Sequence, residues 1–151
     1  MSVAQIGVLA AVYPAVWGFA QLGTGALSDR VGRKPMIALG MRMQAGGILV
    51  MLAGDGFWLM FAGMAVLGLG TALVYPTLLA AIGGVAHPSW RSSSIGVYRL
   101  WRDSGYVIGA LIAGVVADLL GLGPAIAAIG GLTAISGIVA VAVMRETLVR
   151  R

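Results

Sequence analysis

The chain contains no cysteine and a single histidine, His87. Disulfides and thiolate metal centres are therefore excluded, and a lone imidazole before a proline reads as a loop residue at the membrane surface rather than a metal ligand. Charge is scarce too: 10% of the residues are charged, and only five of these are acidic, Asp29, Asp55, Asp103, Asp118 and Glu146. A water-soluble domain of 151 residues needs far more polar cover, so a soluble fold is excluded. Also missing are a phosphate-binding glycine loop, a nucleophile with a matched acid and base, and paired carboxylates in a pocket. That leaves no enzyme signature, no cofactor motif and no metal site. The formal charge is +5, yet no basic patch interleaved with aromatics occurs in a polar segment, so nucleic acid is not the expected partner.

What is present is apolar length. Hydrophobic residues make up 60% of the chain and the mean hydropathy is +0.98. A membrane helix needs about 20 apolar residues, and five such segments are legible: Ile6 to Leu27, Pro35 to Ala53, Phe57 to Gly83, Ser104 to Leu120 and Ala125 to Met144. The runs are too long and too free of alternation for barrel strands. The expected fold is thus an all-α membrane protein of five transmembrane helices in one domain, residues 1–151, with the lipid bilayer as its first partner. No signal peptide is evident, because the run from Ile6 is too long, lacks a basic leader and ends in a charged loop. Gly54-Asp55-Gly56 and Gly121-Leu122-Gly123-Pro124 read as tight turns. The fourth helix is expected to begin ahead of its apolar part, near Ile95, with Ser92, Ser93 and Ser94 offering N-cap oxygens.

Basic residues are distributed unevenly. Arg30, Arg33 and Lys34 follow the first span, Arg91, Arg99 and Arg102 fall between the third and fourth, and Arg145, Arg150 and Arg151 follow the fifth. All nine lie on one side, the opposite turns hold none, and the remaining Arg42 sits inside the second span. By the positive-inside rule that side, with the C-terminus, is cytoplasmic in the cell (plasma or inner) membrane. This orientation puts Met1 outside with nothing to help export it, from which an upstream helix is expected.

Gly25-Ala26-Leu27-Ser28-Asp29-Arg30-Val31-Gly32-Arg33-Lys34, between the first two spans, is too charged to lie in lipid. Gly25 allows close approach of helix backbones, Asp29 can accept charge-assisted hydrogen bonds or sit at a helix N-terminus, and Gly32 permits a sharp reversal. Arg30, Arg33 and Lys34 anchor the loop. The run resembles the loop signature G-x-L-A-D-R-x-G-R-K of the major facilitator superfamily (MFS) of secondary transporters, with Ser28 in place of the usual alanine. The resemblance covers nearly the whole chain. It implies a partial six-helix half-bundle in which the residues before Asp29 correspond to the second helix of a half. The Arg145-Glu146-Thr147 ending and basic tail resemble the end of a whole transporter, so the spans correspond to helices eight to twelve of the carboxy-terminal half. Helices two to six fit less well, because Phe57 to Gly83 lacks the arginine usual in a fourth helix. For Asp29 the resemblance implies a part in a gate that latches the two halves; a merely topogenic basic loop is the alternative.

Further candidates lie within the spans. Tyr13, Trp17 and Gln21 recur at i, i+4 and i+8, a stripe that either lines a substrate cavity or packs between helices. Gly63, Gly68 and Gly70 lead towards Tyr75-Pro76, which suggests a thinly packed, kinked helix. Tyr75 is a candidate cavity residue by the resemblance, with ordinary proline tolerance as the other reading. Arg99, Arg102 and Asp103 form either an aromatic and basic belt with Trp90, Tyr98 and Trp101 or a gate network with Asp29; Arg99 and Asp103 are spaced to pair. Gly105, Gly109 and Gly114 suggest a small-residue packing face on the fourth helix. Arg42 and Asp118 are costly intramembrane charges, but neither reads as a midplane carboxylate for proton coupling.

The function the resemblance implies is movement of a small-molecule solute across the membrane by alternating access. A chain with one half and no first helix would be inactive alone, requiring an amino-terminal half or an oligomeric partner. The alternative is a small, non-transporting membrane protein, either a truncated product or an assembly or regulatory subunit.

Overall fold

The computed structural model describes residues Met1 to Leu148; Arg150 and Arg151, counted above in the basic asymmetry, lie outside the described residues. Five helices long and apolar enough to cross a membrane follow one another: α1 (Val3–Val31), α2 (Arg33–Val50), α3 (Phe57–Val85), α4 (Arg91–Leu120) and α5 (Leu122–Val143). One 3-10 turn, Met51–Ala53, extends α2. The fold is all-α, as composition requires.

Helix ends follow local chemistry. Ser2 and Gln5 form a capping box at the start of α1, with Gln5 N–H donating to Ser2 Oγ at 3.2 Å and Ser2 N–H to Gln5 Oε1 at 2.8 Å. Gly32 alone joins α1 to α2 at φ 110°, and Gly121 alone joins α4 to α5 at φ 94°, backbone that side-chain-bearing residues rarely adopt. The break before α5 is thus one residue, not four; Gly123 and Pro124 sit in the first turn of α5, where proline's missing N–H is harmless. The largest departure from expectation is α4, which starts at Arg91. Ser92, Ser93 and Ser94 lie inside it rather than capping it, and Ser94 Oγ donates back to the Trp90 carbonyl at 3.2 Å.

Packing runs laterally as α1, α3, α2, α5, α4, with the most extensive contact between α2 and α3, while α4 only brushes α3. The α2–α3 seam is built on glycine. A Cβ on Gly40 would meet the Gly70 carbonyl oxygen at 2.7 Å, and one on Gly70 the Gly40 oxygen at 2.6 Å. Two turns along, Gly47 and Gly63 face each other in the same way, at 2.7 and 2.8 Å. Gly68 packs instead on α1, 2.8 Å from the Tyr13 oxygen. The α3 glycines are therefore sites of closest approach and not of thin packing, since small residues let backbones touch where lipid offers no hydrophobic drive. α3 itself continues through Pro76 as far as Val85.

Elsewhere the expected small-residue contacts are not made. A Cβ on Gly25, Gly105, Gly109 or Gly114 meets nothing within 4 Å, so neither the loop glycine nor the glycine face of α4 has a close neighbour among the described residues.

Candidate functional site

Two clusters carry the polar chemistry of the bundle, one near mid-height and one at the basic end. The first is assembled from α1, α3 and α4. Tyr13 stacks on Trp17 with ring centroids 6.1 Å apart, and Trp17 meets Tyr75 edge to face, also at 6.1 Å. The Arg102 guanidinium lies over the Tyr75 ring, 4.8 Å from its centroid, within the range of a cation–π contact. Asp103 completes the row: Arg102 Nε donates to Asp103 Oδ1 at 2.8 Å and Nη2 lies 2.7 Å from the same oxygen. Asp103 thus takes Arg102 rather than Arg99 as its partner; Arg99 is exposed on α4.

Height along the helices gives this row its meaning. Trp17 is the middle residue of α1, Tyr75 is four residues from the middle of α3, and Arg102 and Asp103 are within four of the middle of α4. At a rise of about 1.5 Å per residue all four lie within about 6 Å of mid-helix. Because α4 begins at Arg91, the Arg102–Asp103 pair sits three turns inside a membrane helix and not in the preceding loop. Asp103 is accordingly a mid-helix carboxylate, which apolar-run boundaries did not show.

The surrounding hydroxyls and donors are sparse. Tyr13 OH donates to Thr71 Oγ1 at 3.4 Å, and Thr71 Oγ1 donates to the Leu67 carbonyl at 2.9 Å. Trp17 Nε1 and Thr77 Oγ1 are buried with no hydrogen-bond partner among the described residues. Such donors are costly to leave unmet. Gln21, four residues beyond Trp17, is exposed on α1 and outside the row.

The second cluster gathers the loop signature. Glu146, past the end of α5, accepts at Oε1 from Arg33 N–H (3.1 Å) and at Oε2 from Lys34 N–H (3.1 Å), the first amides of α2. Its Oε1 also accepts from Thr147 and Leu148 N–H, both at 2.9 Å. A carboxylate here meets the positive end of the helix dipole. Burial alone would raise the Glu146 pKa, but the four backbone donors, Leu148, Arg33, Lys34 and Thr147, outweigh it and hold the carboxyl below its ordinary range. Gly32 leaves room for the group: a Cβ there would lie 2.8 Å from Glu146 Oε2. Arg33 reaches back to Thr147, with Nη1 3.5 Å from the carbonyl and 3.4 Å from Oγ1, and its guanidinium occupies the space a side chain at Gly84 would fill. α2, α3 and the segment after α5 are thereby tied at one point.

Asp29 stands apart from both clusters. It lies in the last turn of α1, exposed, with no cation within ion-pair distance among the described residues; Arg30 beside it is also exposed. The helix N-terminus in this loop is served by Glu146. Sequence reasoning passed over Glu146 as a mere ending, although a carboxylate among basic residues on their own side was a signal to seek its donor.

Residues 1–150 match the family model of the Major Facilitator Superfamily. Multidrug resistance protein MdtH of Yersinia enterocolitica is 38% identical over 88 residues, a stretch covering 58% of this chain and 22% of that protein. The proteins of the same name from Yersinia pestis and Yersinia pseudotuberculosis match to the same extent. The alignment therefore spans about a fifth of the length of these relatives.

Proposed function

The chain belongs to the major facilitator superfamily, and from that premise we propose that it forms part of a secondary active transporter moving a small organic solute across the cell membrane by alternating access. The observation that carries this reading is the mid-height row Tyr13, Trp17, Tyr75, Arg102 and Asp103, drawn from three helices. Secondary transporters bind solute near the bilayer midplane, where charged side chains are costly and retained for function. Aromatic faces suit a cargo with apolar or aromatic surface, consistent with relatives named for multidrug resistance. The Arg102–Asp103 pair would meet a polar or charged group, and the unmet Trp17 Nε1 is a donor to offer it.

One such set of helices lines only part of a two-sided pathway. The remaining helices come from the rest of a longer polypeptide, a partner or a second copy, and the isolated chain is inactive. The basic end, with the C-terminus, faces the cytoplasm, and Asp29, unpaired on that face, is left to latch across to the other half.

Initial transport rate per membrane-inserted protein, measured in the completed transporter, tests the reading. Arg102→Gln and Tyr75→Ala should each lower it about tenfold, as loss of about 1.4 kcal/mol of solute contact requires. Unchanged rates in both would sink the assignment of the row to the pathway. Orientation is tested separately: a reporter inserted at Asp55 should read outside and one after Arg151 inside.

A further inference from the structure

A groove lies between α2 and α5, and none of the residues of the mid-height row lines it. It encloses about 650 Å³ and its walls are apolar, including Met41, Ala45, Leu49, Ala134 and Ile138, with one exception, Arg42. Arg42 makes no hydrogen bond or ion pair with any described residue, and it is the one basic side chain of α2 beyond the first turn. A cation placed deep in an apolar span without a carboxylate asks for an anion from elsewhere.

The geometry says where that anion would come from. Arg42 is nine residues into α2, so its Cα is about 14 Å along the axis from the basic end. Helical side chains lean towards the N-terminus, which in α2 is the basic end, so the guanidinium reaches towards headgroup depth. Below it the groove continues along α2 to Leu49 and along α5 from Ala142 back to Ala134, about 10 to 12 Å of apolar channel. That is most of the roughly 15 Å depth of one leaflet's hydrocarbon. The channel stays open because its lining is small: a Cβ on Gly46 meets nothing within 4 Å.

We propose that the α2–α5 groove binds an anionic phospholipid of the leaflet on the basic side, its phosphate paired with Arg42 and one acyl chain lying in the channel. The inference needs only that the helices span a bilayer, and it stands or falls independently of the transport assignment. A second copy of the chain would not supply the missing charge, because its matching face carries the same arginine.

The test uses the full chain, taken from vesicles of equal phosphatidylglycerol and phosphatidylcholine and weighed with its retained lipids by native mass spectrometry. Wild type should keep phosphatidylglycerol preferentially. Arg42→Gln should lower that preference about fivefold, the worth of one basic residue at a membrane surface, while Arg91→Gln, elsewhere on the same side, leaves it intact. Gly46→Leu places its Cβ in open space and extends a side chain into the channel, and it should reduce retention of both lipids with Arg42 still present. The proposal is overturned if wild type shows no preference, if Arg91→Gln costs as much as Arg42→Gln, or if Gly46→Leu retains lipid as wild type does. Lipid-free dimers crosslinked through this face would overturn it as well.

Discussion

α3 and α4 are nearly equal in length, 29 and 30 residues, and both are apolar enough to span a membrane, yet α3 buries eight residues and α4 none. α3 is the more apolar of the two, but inside a bilayer that difference does not choose a neighbour. Both are rich in glycine, but Gly63, Gly68 and Gly70 of α3 meet the backbones of α2 and α1 while the glycines of α4 meet open space. Inside a bilayer, apolar surface is equally content against lipid, so what selects a neighbour is the fit of small residues and the few polar contacts between helices. α3 has three glycines, Gly63, Gly68 and Gly70, locked against backbone; α4 has one cation over one aromatic ring.

The sharpest way to break this contrast is to add bulk on each side. Gly70→Val should destabilise the chain by about 3 kcal/mol or more, because the new Cβ must displace the Gly40 carbonyl. Gly105→Val should cost less than about 0.5 kcal/mol. Unfolding of both variants in the same detergent checks the pair, and equal losses would mean that α4 is as tightly packed as α3.

A smaller effect is expected where the two helices do meet. Tyr75→Ala and Arg102→Gln should each cost about 1 kcal/mol and show coupling of about that size in a double-mutant cycle, whereas Tyr75→Phe keeps the ring face and should be nearly neutral. No coupling would leave α4 held by α5 alone.

Smaller again is the clasp at Glu146. Because its folded-state pKa is held below the ordinary value of 4.5, its stabilisation is present above that value and lost as pH falls through the lower folded one. Hydrogen exchange at Arg33 and Lys34 should therefore be slow at neutral pH, speed up in acid relative to the chain's other helix ends, and be fast at neutral pH in Glu146→Gln. A pH-independent protection pattern would remove the clasp. Least affected of all should be Asp29→Asn, within about 0.5 kcal/mol of wild type, since the carboxylate has no partner to lose. Any larger loss would place Asp29 in a contact within the chain.

Helix number and most boundaries were legible because lipid thickness fixes the length of an apolar run. The start of α4, expected near Ile95, lies four residues earlier, because the thirteen residues from Arg91 to Asp103 carry four charges and no apolar run, and their helix is held by backbone hydrogen bonding that hydropathy does not register. The earlier start moves Arg102 and Asp103 from the helix entry to near its middle. The stripe Tyr13–Trp17 was visible from its spacing, but its continuation through Tyr75 to Arg102 joins three helices, and spacing within one helix carries no information about its neighbours. The same limit reversed the reading of Gly63, Gly68 and Gly70: glycine marks either a weak helix or a close contact, and only the partner helix decides which. Asp29 drew attention through its motif, while the carboxylate that caps α2 is 113 positions from the amide it serves.

That separation has a consequence for how the protein is made. At roughly 5 to 20 residues per second, the amides of Arg33 and Lys34 emerge about 6 to 23 s before Glu146 exists to receive them. During synthesis the start of α2 is an uncapped helix end with three basic neighbours, held only by water and headgroups, and a nascent chain interrupted before residue 146 would keep it so. Closing the clasp must wait for the fifth helix, and it reports that this helix has both inserted and found the second.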